Sequence, residues 1–216
     1  MKPEEAAAYL KEHPEFFEQY ADLLSEIYIP HPHGGRAIPI SERQILTLRE
    51  KNRQIESKLR EVIQFGEEND AISEKVHRLS VALLAASNIR GVLHAVYLNL
   101  RDDFAVPHVA LRIWGANSHT ELPEVKPVSD ASREFAASLA GPHCSGHAMA
   151  DTAGLFGDAS AHLRSFSYLP LRDGETFGLL TLASEDPQRF YPEMGTLYLK
   201  RLGDLVGSAI ARYLKS

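Results

Sequence analysis

No proline interrupts the chain between Ser41 and Leu84, and Gly66 is the only glycine there. Within that stretch Ile45, Leu48, Asn52, Ile55, Leu59 and Val62 follow one another in alternating steps of four and three. That is an a/d heptad register, the pattern that brings one helix seam against another. The alternation resumes at Phe65, Asn69, Ile72, Val76, Leu79 and Leu83. Between the two runs, Leu59-Val62-Phe65 takes two steps of three in succession, a stammer that locally overwinds a coiled coil. Ser41-Glu42-Arg43-Gln44 has the form of a capping box with Ser41 as N-cap. A helix of this length, at ~1.5 Å per residue, is roughly 60 Å long and outruns what a small domain can cover. The spacing therefore predicts a dimerisation rod through Ile45, Leu48, Asn52, Ile55, Leu59, Val62, Phe65, Asn69, Ile72 and Val76. The alternative is an amphipathic helix packed on its own domain.

Asn52 and Asn69 both fall at a positions, where a buried asparagine costs stability but fixes register and favours two strands. Charge is divided along the rod. The first half carries Arg43, Arg49, Lys51, Arg53, Lys58 and Arg60 against Glu42, Glu50 and Glu56. The second half carries Glu61, Glu67, Glu68, Asp70 and Glu74 before Lys75. Basic end against acidic end suits an antiparallel pair, and the two asparagines suit a parallel one. The sequence leaves the direction open.

The rod divides the chain into three segments: 1–40, 41–86 and 87–216. In the first, Leu10, Phe16, Phe17, Leu23, Leu24 and Ile27 recur at helical spacing. His13-Pro14 interrupts them, so two short helices are expected. Ile29-Pro30-His31-Pro32-His33-Gly34-Gly35 reads as a loop. In the third, Asn88 to Asp103 reads as a helix and Val109 to Trp114 as a strand between Pro107 and Gly115. Ala131 to Leu139 suits a short helix. Ser165 to Leu171 and Thr176 to Ala183 read as two strands joined through Asp173-Gly174, a strong hairpin signal. A final helix is expected from Pro192, placed in its first turn, to about Leu214. Together these elements make an α+β domain, an antiparallel sheet covered by helices.

The 216 residues are 44% hydrophobic and 24% charged, the composition of a globular protein. No apolar run approaches the roughly 18 residues of a membrane span, and Met1-Lys2-Pro3-Glu4-Glu5 lacks the start of a signal peptide. One cysteine, Cys144, excludes an internal disulfide framework and a Cys-rich zinc site. A cytoplasmic protein is the expectation. The formal net charge of −6 argues against generic nucleic-acid affinity. The basic stretch from Arg36 to Arg60 contains no aromatic residue to stack on bases, and a solvated coiled-coil face is the simpler reading.

The segment Ser167-Tyr168-Leu169-Pro170-Leu171-Arg172-Asp173-Gly174-Glu175-Thr176-Phe177-Gly178-Leu179 resembles the central hairpin of GAF domains, where a Pro-Leu ends one strand and a Gly-x-Leu opens the next. Its continuation from Ser184 through Phe190-Tyr191-Pro192 to Leu202 resembles the bacterial family catalogued as domain of unknown function 484. The opening third agrees. Tyr9-Leu10, His13-Pro14, Phe16-Phe17, Ile29-Pro30-His31, Ser41-Glu42-Arg43-Gln44 and Leu48-Arg49 are similar to that family's first motifs. The resemblance covers nearly the whole chain. It implies a GAF-like fold preceded by a coiled coil, and no particular biochemical activity. Where that family tends to carry Cys-Gly, this chain has Cys144-Ser145-Gly146.

Candidate chemistry centres on His143-Cys144-Ser145-Gly146-His147. A thiolate and two imidazoles are good soft-metal or redox ligands. In an extended chain the two histidines share a face but lie about 13 Å apart, so a buried cysteine flanked by solvent-facing histidines is the simpler reading. A lone cysteine also has no intramolecular resolving partner for a redox cycle, and its surroundings do not resemble bilin-attachment motifs. His31-Pro32-His33 places two imidazoles on one face with no third ligand nearby. No phosphate-binding Gly-rich loop, Ser-nucleophile elbow or paired-carboxylate motif is present. Gly203 and Gly207, four apart, would let another element approach the last helix within the domain or between subunits.

The expectation is a non-catalytic regulatory or signalling homodimer, with no output domain following. Its GAF-like pocket, bounded by the sheet and the loops between Leu122 and Leu163, would be lined by His143, Cys144, His147, Phe156 and Tyr168. It would bind an unidentified small molecule and pass the signal through the rod to a protein partner. The alternatives are a structural dimer or adaptor whose pocket is filled by its own side chains, and a redox or metal enzyme at Cys144. No membrane, metal or nucleic-acid partner is expected, and the sequence identifies no cofactor.

Overall fold

The computed structural model describes residues 2–29, 38–115 and 120–214. The chain divides into two compact units, Met1–Glu67 and Glu68–Ser216. The first opens with three short helices, α1 (Pro3–Glu12), α2 (Phe16–Gln19) and α3 (Leu23–Glu26). The break expected at His13-Pro14 is present, and the second expected helix is itself divided. Two-residue strands β1 (Tyr28–Ile29) and β2 (Ile38–Pro39) pair antiparallel. The His31-Pro32-His33 pair lies outside the described residues.

Helix α4 spans Ile40–Ala85. It starts directly from the β1–β2 pair, since the Ile40 amide donates to the Ile27 carbonyl at 3.1 Å. Ser41 therefore lies inside the first turn, not before it. No described residue of Met1–Glu67 is buried. Leu10, Phe16, Phe17 and Leu23 are half-buried, and the α4 residues of this unit after Ile40 are exposed wherever their side chains are described.

The second unit holds α4 from Glu68 onward, then α5 (Ile89–Asp102), β3 (His108–Ile113), α6 (Asp130–Ser138), β4 (His143–Ser145), β5 (Ser165–Asp173), β6 (Glu175–Ser184) and α7 (Leu197–Leu214). Two 3-10 segments, Pro123–Val125 and Ala150–Ala161, fill the connections. Asn88 caps α5 by accepting from the Gly91 amide at 2.8 Å, and Ser129 caps α6 through the Ser132 amide at 3.2 Å. The four strands form an antiparallel sheet in the order β3-β6-β5-β4. This is the expected α+β architecture.

The hairpin is tighter than the sequence predicts. Arg172 pairs with Thr176 and Asp173 with Glu175, so Gly174 alone makes the turn, at φ +79°. A register shift at Leu171/Arg172 accommodates it. Helix α7 begins at Leu197, five residues after Pro192. Pro192 sits in a separate turn closed by the Met194 amide on the Tyr191 carbonyl (3.1 Å), and the Lys200 amide donates to the Thr196 carbonyl at 2.9 Å to open the helix.

The sheet separates two cores. On one face Leu111, Leu169, Leu171, Leu180 and Leu182 pack with Val92, Val96 and Leu100 of α5 and Leu202, Val206 and Ile210 of α7. Leu79 and Leu83 of α4 complete this core at 0% and 4% exposure. On the other face Phe166, Tyr168, Leu179 and Ala183 pack under Ala136 and Leu163, with Phe135 and Phe156 partly buried against them. Gly203 and Gly207 carry α7 across β5. A Cβ on Gly203 would meet the Leu169 Cβ at 3.5 Å, and one on Gly207 the Arg172 amide at 3.5 Å. Of the two roles open to this glycine pair, the structure gives it packing within the domain. Gly178 is tighter still: a Cβ there would lie 2.8 Å from the Arg112 carbonyl oxygen.

Candidate functional site

The expected pocket residues lie on both sides of the sheet, and the β4–β5 register explains why. His143 pairs with Tyr168, Cys144 with Ser167 and Ser145 with Phe166. Successive side chains in a strand point to opposite faces. Tyr168 and Phe166 therefore face α6, while Cys144 joins the core shared with α5 and α7. His143 and His147 are exposed, and His147 Nδ1 lies 3.3 Å from the Ser145 hydroxyl. The expected pocket lining is thus divided, with its thiol in one core and its tyrosine in the other.

Cys144 is 4% exposed. Burial pushes its thiol pKa up, opposed in part by the neighbouring Ser167 hydroxyl. A thiol so placed is less often a thiolate and correspondingly less nucleophilic. Among the described residues no three His, Cys, Asp or Glu side chains are grouped to hold a metal ion.

Tyr168 and Phe156 do come together, through Phe166. The Phe156 and Phe166 ring centroids are 6.3 Å apart, Phe166 stacks on Tyr168 at 6.2 Å, and Phe135 meets Tyr168 edge-on at 5.2 Å. Tyr168 is 0% exposed. Its hydroxyl accepts from the Met149 amide at 2.8 Å and lies 3.2 Å from Thr152 Oγ1. Because the Thr152 hydroxyl donates to the Met149 carbonyl at 2.6 Å, the Tyr168 proton goes to Thr152. The chain closes on itself: Met149 amide to Tyr168, Tyr168 to Thr152, Thr152 to Met149 carbonyl. Burial raises the Tyr168 pKa against these hydrogen bonds. Thr181, opposite Tyr168 across the strands, is fully buried and its hydroxyl has no hydrogen-bond partner. Sequence reasoning missed Thr152 and Thr181, whose roles depend on strand pairing and on a 3-10 segment with no periodicity to reveal it.

A surface cleft of about 140 Å³ opens elsewhere, between the Ala140–Pro142 loop and α7, lined also by Arg172, Lys200, Gly203 and Asp204. Arg172 reaches across to the α6 end, donating to the carbonyls of Ala137 (3.3 Å) and Leu139.

The expected dimerisation stripe has two different surroundings. Ile45, Leu48, Ile55, Leu59, Val62 and Phe65 are all exposed, Leu48, Ile55 and Val62 to 64% each. Asn52 donates from Nδ2 to Glu56 Oε1 at 3.2 Å along the helix. Further on, the Asn69 carbonyl accepts from the Tyr198 hydroxyl at 3.2 Å, and Ser73 Oγ lies 3.1 Å from that same hydroxyl. Ile72 is half-buried, and Val76 packs against the core that holds Leu79 and Leu83. From Asn69 onward the pattern is used by the chain's own domain. Val81 and Leu84, between and beyond those core positions, are 53% and 75% exposed.

These features define an α+β domain, an antiparallel sheet with a helical core on each face and the end of α4 in one of them. The chain belongs to the family described as protein of unknown function DUF484, whose model matches residues 1–215. No curated protein matches it in sequence. Similar solved structures include the native GAF domain of the potassium sensor histidine kinase KdpD from Escherichia coli. That domain is 20% identical, with 66% of this chain and 95% of that chain covered and a TM-score of 0.44. They also include the GAF domain of a phosphoenolpyruvate-protein phosphotransferase (ptsP) from Coxiella burnetii. It is 15% identical, with 65% and 93% covered and a TM-score of 0.49. Among the described residues no helix is long and apolar enough to cross a membrane.

Proposed function

We propose that this protein is a non-catalytic regulatory module that works as a homodimer, its α4 helix pairing with that of a second copy while its sheet domain responds to a small molecule. One observation carries the reading: α4 presents bare apolar side chains from Ile45 to Phe65 and ends as part of the domain core at Leu79 and Leu83. A segment whose described residues include no buried side chain has little to hold it as a lone helix, and pairing along the a/d seam supplies the missing burial. The buried, poorly ionised Cys144 speaks against thiol chemistry.

The ligand would bind on the Tyr168 face by parting the aromatic side chains over it, since Thr181, whose hydroxyl is unused, and Thr152 are buried there. Thermal melting of the purified full chain against a panel of nucleotides, amino acids and organic acids tests this. A specific rise in Tm that Tyr168→Phe abolishes supports sensing. The aromatic packing of Phe135, Phe156 and Phe166 around Tyr168 favours a second reading, a structural adaptor with a self-filled interior. A panel without any shift, from a chain that still sediments as a dimer, selects the adaptor.

A further inference from the structure

Taking as its basis the homodimer reading above, we infer that two copies pair parallel and in register along residues 45–62, Asn52 facing Asn52 and Lys51 facing the partner's Glu56. The division of charge along α4 suggests the opposite direction, basic half on acidic half. That overlap needs an apolar seam through the acidic half, where only Val62 and Phe65 are bare: the Asn69 carbonyl is taken by the Tyr198 hydroxyl of the chain's own domain, and Ile72 is half-buried. The bare stripe is the earlier one, so the direction is decided there.

Over that stripe Ile45, Asn52 and Leu59 are a positions and Leu48, Ile55 and Val62 are d positions. The flanking positions are then Lys51 and Lys58 at g, and Arg49, Glu56 and Ile63 at e. In a parallel pair each g residue faces the e residue of the partner's next heptad. Lys51 meets the partner's Glu56, the apolar stem of Lys58 covers the partner's Ile63, and the two Asn52 amides meet each other across the seam. In an antiparallel pair over the same residues g faces g and e faces e. Arg49 then meets the partner's Glu56, but Lys51 meets the partner's Lys58 and the Asn52 amide is pressed against the partner's Ile55. The parallel arrangement has two attractive charge contacts and no repulsive one. The antiparallel arrangement cancels its attractions and leaves a buried amide beside an aliphatic side chain.

Glu56 is held beside Asn52 at 3.2 Å, and Lys58 is engaged with Glu61 of its own helix at 2.6 Å. Lys51, Ile55, Lys58, Leu59 and Val62 together line an open apolar groove along one flank of the seam.

The test uses the full chain carrying Cys144→Ser, with single cysteines at Leu48, Ile55 or Val62. All three sites are 64% exposed, so the substitutions leave each copy's fold intact. The expected result is a dimer by sedimentation, with disulfide formation between identical positions at each site. Separately, Lys51→Glu and Glu56→Lys each weaken dimerisation several-fold, and the double exchange restores it. A dimer that fails to cross-link at identical positions, but does cross-link when Leu48→Cys chains are mixed with Leu59→Cys chains, overturns the parallel arrangement and leaves the homodimer standing. Tighter dimerisation by Lys51→Glu overturns it too, since that change would repair a Lys51–Lys58 contact. A monomer at micromolar concentration overturns both readings together.

Discussion

The Tyr168 hydroxyl stands in a closed ring of hydrogen bonds with the Met149 amide and the Thr152 hydroxyl, and no solvent reaches it. Removing it leaves the Met149 amide unsatisfied, so Tyr168→Phe is expected to cost about 1–3 kcal/mol, read as a lower denaturant midpoint. The same burial sets a pH dependence. Tyr168 is raised mainly by desolvation, and Tyr97 is raised by desolvation and by the charge of Glu124 beside it. Both phenols keep their protons in the folded chain at pH values where the unfolded chain loses them. The stability they contribute is intact below the unfolded value of about 10 and is lost as pH climbs beyond it. Melting temperature should therefore be insensitive to these groups up to about pH 9.5 and fall steeply above, less steeply in Tyr168→Phe. Cys144 gives a companion observation. Its thiol should resist a soluble thiol reagent at neutral pH in the native chain and react at once on unfolding, whereas rapid native labelling would show a reachable, ionised thiol.

At the scale of elements, α4 has one pattern in two surroundings. Leu83 is 4% exposed within the core and its neighbour Leu84 is 75% exposed. Leu83→Ala should cost about 2–5 kcal/mol and Leu84→Ala no more than about 0.5, a contrast that chemical denaturation of the two variants resolves directly. The helix, the α5 and α6 stretches and the β5–β6 hairpin were legible because each has a local signature: the heptad spacing, the run from Asn88, and Asp173-Gly174 between two apolar strands. What the helix packs against was not legible. Steps of three and four look the same whether a seam is exposed or packed on the chain's own sheet, and only the stammer at Leu59-Val62-Phe65 falls near the change. Strand β4 escaped for a different reason. It has three residues, and its identity as a strand comes from pairing with Phe166, Ser167 and Tyr168, more than twenty residues away. With β4 unrecognised, His143, Cys144, His147 and Tyr168 read as one site, and strand alternation then places the cysteine and the tyrosine on opposite faces.

For the molecule as a whole, stability is distributed unevenly along the chain. Glu68–Ser216 contains two hydrophobic cores, while no described residue of Met1–Glu67 is buried. The helical half of that first unit carries leucines, isoleucines, valine and phenylalanine at 49–64% exposure along its seam. Burying one such side chain is worth about 1.5–3 kcal/mol, and a dimer seam would bury six a/d layers from each copy. A lone helix of this composition, with Asn52 and charged residues around it, is marginal in water. The two units should consequently respond differently to dilution. Far-UV circular dichroism of the full chain is expected to lose helical signal as concentration falls through the dimer dissociation constant, while the near-UV signal of Trp114 and the buried tyrosine stays constant. Ile55→Asp, which places a charge on the seam at a site exposed in the single chain, should move that loss to higher concentration by at least tenfold without changing the near-UV spectrum. If helical content is independent of concentration in the wild-type chain and in Ile55→Asp alike, the first half of α4 is stable without a partner and its apolar seam has some other occupant.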